Sequence, residues 1–225
     1  FVGVDDYKSL YYTRNQQLIK RNGSKTQTYS ALELGEIQSV DIINPLKIVV
    51  FYKTSNTVVI LDNTLTEIRR IAFNSISNFR NVGHAFYAGD RKLWIYNIDL
   101  QRLEIYDWGL AKVDVEFPPL VTTPEAMTSN FNFSWVADDE RLLTYNNYGN
   151  LLEERSFKTI TSIAESRGDL ILFSDNQLYY KREKTTQFTA LKLPDILPQQ
   201  LYLNDEILYI YSHQKLLAFQ IKPVK

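Results

Sequence analysis

One pattern recurs six times along this chain and restricts its fold more than any other feature. In each copy, an apolar stretch of strand length runs into a short polar turn, and a second apolar stretch follows directly. The second stretches begin 35 to 49 residues apart, near Leu18, Val58, Leu93, Leu142, Leu178 and Leu216. A period of this size is typical of repeats that each form one small β-sheet. The chain is therefore predicted to be all-β.

The segments around each hairpin complete a four-stranded unit. The turns hold residues that tolerate tight bends: Asn15, Ser55-Asn56, Gly89-Asp90, Asp138-Asp139, Asp175-Asn176 and Ser212-His213. A further apolar segment precedes the hairpins, as in FVGV at Phe1, QSVDII at Gln38, ISNF at Ile76, ITSIA at Ile160 and QLYL at Gln200. A polar, alternating segment follows them, as in EIRRIAF and LLEERSF. Each repeat is thus predicted to supply four strands.

Six such sheets are most stable when packed face to face around an axis, because this buries both faces and leaves only short edges. The apolar runs IVVFY and LILF suit middle strands covered on both faces, and EIRRI and LLEERSF suit half-exposed outer strands. The sequence predicts a β-propeller of about six four-stranded blades, with five or seven as alternatives. We expect one domain over residues 1–225, with blades at approximately 1–35, 36–74, 75–113, 114–157, 158–193 and 194–225.

Two irregularities interrupt the period. The segment from Leu110 to Asn130 holds three of the seven prolines and is predicted to be an extended connection between the third and fourth blades. The last repeat ends at Lys225 without an outer strand, and Phe1–Val4 is predicted to be the inner strand of the first blade. Either the final blade has three strands or the native N-terminus has been lost.

The turn into the outer strand carries a resemblance to known propellers. It is seen in VILDNTLTEIRRI from Val59 and in LTYNNYGNLLEERSF from Leu143. This pattern is similar to the repeat of six-bladed propellers of the NHL and quinoprotein-like kinds. LYYTR from Leu10 also resembles the Tyr-Trp-Thr-Asp repeat of receptor propellers. The resemblance implies a scaffold that binds proteins, glycans or small ligands, with a minority of enzymes, and it identifies no particular family.

Composition excludes several functions. Lys+Arg 25 against Asp+Glu 26 gives a net charge of -1 with no basic run, so nucleic acid is not an expected partner. The chain has no cysteine, which excludes disulfides and thiolate metal sites. No apolar stretch reaches the roughly 18–20 residues of a membrane helix. The chain opens at Phe1 and not at Met, which either signal-peptide removal or a trimmed boundary would explain. Of the two we favour the first and expect an extracytoplasmic location, periplasmic, outer-surface or secreted.

The sequence shows no catalytic motif. The histidines, His84 and His213, lie in different repeats and are predicted to be a packed residue and a solvated turn residue. There is no GxSxG elbow and no glycine-rich phosphate loop. Asp5-Asp6 and Asp138-Asp139-Glu140 lack the alternation of a calcium loop. We therefore nominate no catalytic residue, no metal site and no cofactor.

Four charged residues fall where the central channel is expected. Asp5, Asp41, Arg80 and Glu165 lie in or just beyond the predicted inner strands, and we expect them near one mouth of the channel. There they could bind a polar ligand; the alternative is that they are solvated or offset one another. Trp108 and Tyr148 lie at turns and are nominated as exposed partner-binding residues.

Two functions remain open from the sequence. The first is a non-catalytic binding or scaffolding propeller with a protein or glycan partner. The second is a propeller hydrolase or lyase that uses carboxylates at the channel mouth, such as Asp5, Asp41 and Glu165. The second requires these carboxyl groups to line one pocket.

Overall fold

Short antiparallel strands joined by tight turns account for nearly all of the regular structure. The computed structural model describes residues 1–192 and 196–221, and within these ranges the strands form six sheets. Five sheets have four strands and the last has three. The only helix in the described ranges is a 3₁₀ turn at Leu32–Leu34, between the first two blades. The chain is therefore a six-bladed β-propeller, as the repeat predicts.

The strands of each blade follow one another from the channel outward. The first blade holds β1 (Gly3–Val4), β2 (Leu10–Arg14), β3 (Gln17–Asn22) and β4 (Lys25–Ser30). The second holds β5 (Ser39–Asp41), β6 (Ile48–Tyr52), β7 (Thr57–Leu61) and β8 (Glu67–Ala72). The third holds β9 (Val82–Tyr87), β10 (Lys92–Asn97), β11 (Arg102–Asp107) and β12 (Lys112–Pro119).

The second half of the ring repeats this order. The fourth blade holds β13 (Met127–Ser129), β14 (Phe133–Asp138), β15 (Arg141–Asn146) and β16 (Leu151–Ser156). The fifth holds β17 (Ile160–Ser166), β18 (Asp169–Ser174), β19 (Gln177–Lys181) and β20 (Thr189–Leu191). The sixth holds β21 (Gln200–Asn204), β22 (Ile207–Ser212) and β23 (Lys215–Gln220). Around the axis, the first strands β5, β9, β13, β17 and β21 contact one another in turn, and β1 meets β21 to close the ring.

The third repeat begins one strand later than predicted. HAFYAGDRKLWIYN forms β9 and β10, which are the inner and second strands rather than the second and third. ISNF from Ile76 forms no strand, and Lys112–Pro119 is the outer strand β12 rather than part of a connection between blades. The hairpin between the first two strands and the hairpin between the middle two show the same apolar–turn–apolar pattern, so the pattern alone could not separate them.

Local turn chemistry explains three of the hairpins. Asn15-Gln16, Asp175-Asn176 and His213-Gln214 each join a second strand to a third, and both residues of each pair have positive φ. Two consecutive positive φ angles give the type I′ turn, whose twist matches that of the strands it joins. These turns lie on the face of the disc opposite to the turns that leave the inner strands, because successive strands alternate in direction.

The core lies between the blades. Every residue of β6 and β7 is buried, whereas β8 and β16 are mostly exposed, as the apolar and alternating patterns predict. Five buried apolar clusters fill five of the six interfaces between blades. At about 25 cal/mol per Å² of apolar surface, such burial is the main term that stabilises the ring.

The sixth interface, between the last and first blades, is aromatic. Phe1 packs its ring against Tyr202, Tyr209 and Tyr211, with centroid distances of 6.2, 6.3 and 6.5 Å. We call this contact the closing seam. Asn204 adds a side-chain hydrogen bond of 2.9 Å to the Val4 carbonyl across it. The seam thus joins the two ends of the ring through side chains rather than through a shared sheet.

Candidate functional site

The turns that follow the inner strands gather at one end of the central channel, which we call the mouth. A cavity of about 1230 Å³ opens there. It is lined by Asp5, Asp41 and Glu165, three of the four residues nominated for the channel, and by residues of the fourth and sixth blades. The structure therefore brings three carboxyl groups to one pocket.

Asp5 has a structural role within its own turn. Its Oδ1 accepts the backbone N–H groups of Tyr7 at 3.0 Å and Ser9 at 2.8 Å, and its Oδ2 accepts the Tyr11 hydroxyl at 3.0 Å. The side chain is only 4% exposed. Both oxygens are engaged, so Asp5 organises the turn between β1 and β2 more than it faces a ligand.

Asp41 ties the second blade to the third. Its Oδ1 accepts the Ile43 N–H at 2.9 Å, and its Oδ2 accepts the Tyr87 N–H at 2.8 Å at the end of β9. Burial raises the pKa of this carboxyl to about 6, although the two N–H donors oppose the shift. Each oxygen keeps a lone pair that can face the cavity.

Glu165 is the least engaged of the three carboxylates. Its Oε1 accepts the Asn130 amide at 2.9 Å and the Gly168 N–H at 2.7 Å. Its Oε2 has no hydrogen-bond partner among the described residues. Burial raises the pKa of Glu165, and the negative charges of Asp41 and Asp169 act in the same direction. One carboxylate oxygen is thus free to meet a ligand.

Tyr202 belongs to the sixth blade, and its ring lies across Gly3 of the first blade to reach the cavity. A Cβ atom on Gly3 would stand 2.5 Å from Tyr202 Cε2, so only glycine leaves room for the ring there. Burial raises the pKa of Tyr202, and the charges of Asp41 and Asp5 raise it further.

Sequence reasoning missed the contribution of the fourth blade. Ser129 ends β13, Asn130 follows it directly, and both line the cavity, where Asn130 links Glu165 to its own blade. Ser129 is 4% exposed, and its hydroxyl has no partner among the described residues. The signal available in the sequence was position, since Ser129 ends its inner strand as Asp41 does and Asn130 comes directly after it. Neither is charged, so a search for charged residues passed over them.

The cavity continues outward into a cleft between the fourth and fifth blades. The basic side chains that line the cavity and this cleft are Arg155, Arg167, Lys181 and Lys184, of which Arg167 lies at the mouth, in the turn between β17 and β18. Each of them meets a carboxylate: Arg155 and Lys181 meet Glu153, Arg167 meets Asp6 and Asp205, and Lys184 meets Glu183. Basic charge in the cleft is therefore offset locally.

Arg80 does not reach the mouth, contrary to expectation. It precedes β9 rather than following it, so it lies at the opposite end of the inner strand. Its Nε donates to Glu104 Oε2 at 2.7 Å, and Glu104 is fully buried in β11. The shifted third repeat explains the error, because Val82–Tyr87 and not Ile76–Phe79 is the inner strand. Arg80 is a structural ion-pair partner.

The two aromatic residues nominated for partner binding differ in exposure. Trp108 is only 8% exposed and packs against Tyr87 in the core between the second and third blades, so the expectation of an exposed ring is wrong. Tyr148 is 81% exposed in the turn between β15 and β16, on the mouth side of the disc. Its exposure is confirmed, and its role in binding stays a prediction.

The histidines lie away from the cavity wall. His84 is half-buried on β9, its Nε2–H donates to the Pro124 carbonyl at 3.0 Å, and burial lowers its pKa. His213 is exposed in its turn, as predicted. Across residues 1–192 and 196–221, no group of three or more His, Asp or Glu side chains is arranged to hold a metal ion. In the same ranges, no helix is long and apolar enough to cross a membrane.

Comparison with known proteins identifies the fold and no family. No family profile and no curated protein matches the sequence. Among solved structures, streptogramin B lyase superposes with a TM-score of 0.69 at 11% identity, over 99% of this chain and 83% of the lyase. A chain of the mitotic checkpoint complex gives 0.65 at 12% identity, over 93% of this chain and 69% of its own.

Two further structures are longer than this chain. The chain covers 57% of Hsv2 from Kluyveromyces lactis, with 80% of this chain aligned, a TM-score of 0.62 and 12% identity. It covers 32% of PorZ, a surface component of the type-IX secretion system of Porphyromonas gingivalis, with 97% of this chain aligned, a TM-score of 0.59 and 14% identity. At such identities the likeness concerns the fold alone. The chain is a six-bladed β-propeller without a specific family.

Proposed function

We propose that this chain is a non-catalytic binding or scaffolding propeller that contacts a protein or glycan partner through the mouth face. The cavity carries the proposal: it is open to solvent, it holds carboxylates without a basic partner, and exposed aromatic and aliphatic side chains lie on the same face of the disc. A rigid disc with recognition groups on its turns is suited to binding, because the turns can vary without disturbing the blades.

The exposed apolar side chains of the mouth face support this role. Leu46, Leu110, Phe131 and Tyr148 all lie in turns that leave a first or third strand, which places them on the same face as the cavity. Their exposed fractions are 62%, 61%, 44% and 81%. Exposed aromatic residues are enriched at interfaces. We call these four residues the apolar rim.

The hydrogen bonds of the carboxylates favour binding over catalysis. Asp5 and Asp41 use both oxygens to hold backbone N–H groups or a tyrosine hydroxyl, which fixes turns and joins blades. A general acid or base has to exchange its proton with substrate, and these two are committed to structure. Only Glu165 keeps a free oxygen.

The proposed location is outside the cytoplasm. The fold likeness to PorZ, a bacterial surface component, supports it. Fractionation of the source cells with an antibody to the chain tests it. Recovery in the cytoplasmic fraction alone would reject this part of the proposal.

The function itself is tested by comparing the two faces of the disc. A double variant of the apolar rim, Phe131→Ser with Tyr148→Ser, is expected to lose the partner recovered by the native chain in a cross-linked pull-down. The control is Phe79→Ser with Val121→Ser, a pair exposed on the opposite face by 53% and 67%. Equal recovery from both variants would contradict binding through the mouth face.

A lyase or hydrolase is a second candidate, favoured by one observation. Glu165 has a raised pKa and a free oxygen in a cavity of substrate size that a second carboxyl group, Asp41, also lines, which is an arrangement suited to proton transfer. The fold likeness to streptogramin B lyase is compatible with it. Cell-envelope extracts incubated with the chain would then yield products by mass spectrometry, and Glu165→Gln would abolish them. Without turnover in the native chain, this candidate fails.

A further inference from the structure

The interface between the fourth and fifth blades is packed on one side of the disc and open on the other. Ala137, Leu142 and Ile160 lie at strand ends away from the mouth and belong to the buried cluster of this interface. Nearer the mouth, Phe133 and Ile163 are half-buried and line the cleft that continues the cavity. The cleft is therefore a gap between two walls whose far side is already closed by the core, so a ligand can occupy it without displacing core residues.

Strand pairing places polar groups in a row along each wall of the cleft. On the fourth blade, Trp135 lies opposite Thr144, and Thr144 lies opposite Glu153, so these three side chains project from one face of the sheet. On the fifth blade, Glu165 and Lys181 share a face and lie two strands apart, which separates them by roughly 10 Å. All five residues line the cavity, so both rows border the same open space.

Lys181 and Glu153 meet across the cleft without a hydrogen bond between them. Lys181 Nζ lies 4.0 Å from Glu153 Oε2, beyond the range of about 2.7–3.2 Å for such a bond, although the lysine side chain is only 12% exposed. The other oxygen of Glu153 accepts Arg155 Nε at 2.7 Å. A polar group as buried as the Lys181 ammonium usually has closer partners. A hydroxyl group beside the pair would supply one, because a hydroxyl can accept from the ammonium and donate to the carboxylate at the same time.

Two neutral groups of the fourth blade also face the cleft without partners. Trp135 and Thr144 are 4% and 9% exposed. Among the described residues, none accepts the Trp135 indole N–H and none bonds the Thr144 hydroxyl, whereas the Trp94 indole N–H donates to the Asn130 carbonyl at 3.1 Å. Both groups keep some accessible surface, unlike the sealed Ser129 hydroxyl. Nearly buried polar groups that remain reachable only from a cleft are the kind of group that a ligand satisfies.

We propose that the cleft between the fourth and fifth blades binds a neutral glycan, with one sugar hydroxyl bridging Lys181 and Glu153 and others at Trp135 and Thr144. Each sugar hydroxyl both donates and accepts, so a row of such groups matches walls that offer an ammonium, an indole N–H, a hydroxyl and carboxylate oxygens side by side. The charges of Lys181 and Arg155 are offset by neighbouring carboxylates, which favours a ligand without net charge. This inference rests on the proposed binding function and specifies its partner as a glycan.

An extended peptide satisfies the same walls less well. In a peptide backbone the donor N–H and the acceptor C=O are separate groups, so no single backbone atom can bridge Lys181 and Glu153. A glycan also suits the apolar part of the lining, since the half-buried Phe133 and Ile163 stand beside the polar row. Apolar walls with a few placed polar groups are typical of sites for small ligands and single sugar units.

Titration of the purified 225-residue chain with maltohexaose, cellohexaose and chitohexaose, followed by calorimetry and tryptophan fluorescence, tests the proposal. At least one hexasaccharide is expected to bind saturably, and hexaethylene glycol, which has no hydroxyl groups along its chain, is not. Lys181→Met should weaken this binding at least tenfold, and Thr144→Val about threefold. The matched control is Lys158→Met, because Lys158 lies 3.6 Å from Asp175, is 76% exposed and stands on the opposite face. It should bind as the native chain does.

The outcomes separate this inference from the proposed function. No saturable binding of any hexasaccharide, or equal affinity in the Lys181→Met and Lys158→Met variants, would overturn the glycan site even if a partner still binds the apolar rim. Saccharide binding with equal partner recovery from the rim variant and its control would support the site and reject binding through the rim. If Lys181→Met fails to fold, as judged by circular dichroism, Thr144→Val and Glu153→Gln decide the result. A partner recovered undiminished after enzymatic removal of its glycans would point to a protein contact and contradict the inference.

Discussion

Gly3 and Tyr202 are coupled because one leaves the space that the other fills. The Tyr202 ring crosses β1 where a Cβ atom would lie 2.5 to 2.8 Å from three of its carbons. The ring can therefore stand between the first and sixth blades and carry its hydroxyl to the cavity. A single position without a side chain thus controls both the closing seam and the place of the Tyr202 ring at the cavity.

Replacement of Gly3 by alanine should destabilise the chain by about 1–3 kcal/mol, because it overpacks a filled contact. Urea denaturation measures the loss. In a Tyr202→Ala background, Gly3→Ala should lower the free energy of unfolding by clearly less, since the clashing ring is gone. Additive effects of the two substitutions would show that Gly3 and Tyr202 do not interact as described.

The titration of Asp41 should appear in the pH dependence of stability. Its pKa is raised to about 6 in the folded chain, above the 3.8 of a free carboxyl, so the folded state binds the proton more tightly. Asp41 therefore contributes stability that is complete below about pH 4 and is lost as the pH rises through 6. The groups that face it across the cavity are Glu165, Tyr202 and Asp5.

Between pH 4 and pH 7, the stability that Asp41 contributes should fall by about 1–3 kcal/mol, because one unit of pKa shift corresponds to about 1.36 kcal/mol. Asp41→Asn should flatten this part of the profile, whatever its effect on absolute stability. Carbon-13 NMR of the Asp41 carboxyl group should give a midpoint near 6. A midpoint near 4, with an unchanged profile in the variant, would contradict the shift.

At the scale of the elements, the connection before β9 is anchored by one ion pair. Arg80 reaches from this connection to Glu104 of β11 and also donates to the Asn78 and Phe79 carbonyls at 3.1 and 2.9 Å. Glu104 retains Arg102 at 3.1 Å when Arg80 is removed. Arg80 therefore holds a turn to a blade as well as offsetting a buried charge.

Arg80→Ala should lower the free energy of unfolding by about 1–3 kcal/mol, because it leaves a buried carboxylate with one arginine fewer. The matched control is Arg69→Ala on the exposed face of β8, which should change stability by less than about 0.5 kcal/mol. Equal effects of the two substitutions would mean that the ion pair between Arg80 and Glu104 adds nothing to the free energy of unfolding.

The elements also show which parts of the fold the sequence could predict. The period and the apolar runs were sufficient for six blades, for the buried β6 and β7, and for a three-stranded last blade. They failed in the third repeat, where the Gly89-Asp90 turn joins β9 to β10 but resembles the turns between second and third strands. That shift of one strand accounts for the wrong position of Arg80. Trp108 does lie in a turn as predicted, but its ring is buried.

The site was predictable only as far as the period held. Asp5, Asp41 and Glu165 were brought together because their repeats were in register. The groups that bind them could not be found in this way, since the Tyr87 N–H and the Asn130 amide belong to other blades. Such contacts depend on how neighbouring sheets pack, and strand patterns carry no information about that.

Considered as a whole, the ring is held by interfaces of two kinds. Five interfaces contain buried aliphatic and aromatic clusters, whereas the closing seam consists of Phe1 and three partly exposed tyrosines. The inner strand β1 beside it has two residues, and the sixth blade has three strands in the described part of the chain. The seam is therefore the place where the ring has the least buried apolar surface to resist opening.

The 225-residue chain should open at the closing seam before it unfolds elsewhere. Amide hydrogen exchange is expected to be faster in β1 and β21 than in β6 and β7, because opening the seam exposes the former and leaves the latter buried. Phe1→Ala should accelerate exchange in β1 and β21 and destabilise the chain by about 1–3 kcal/mol, somewhat less than for a fully buried phenylalanine. The control is Phe79→Ala, at a residue that is 53% exposed on the opposite face. It should change neither the exchange rates in β1 and β21 nor the free energy of unfolding. Equal exchange rates in all six blades would instead mean that the ring opens only by global unfolding, with the aromatic seam as strong as the aliphatic interfaces.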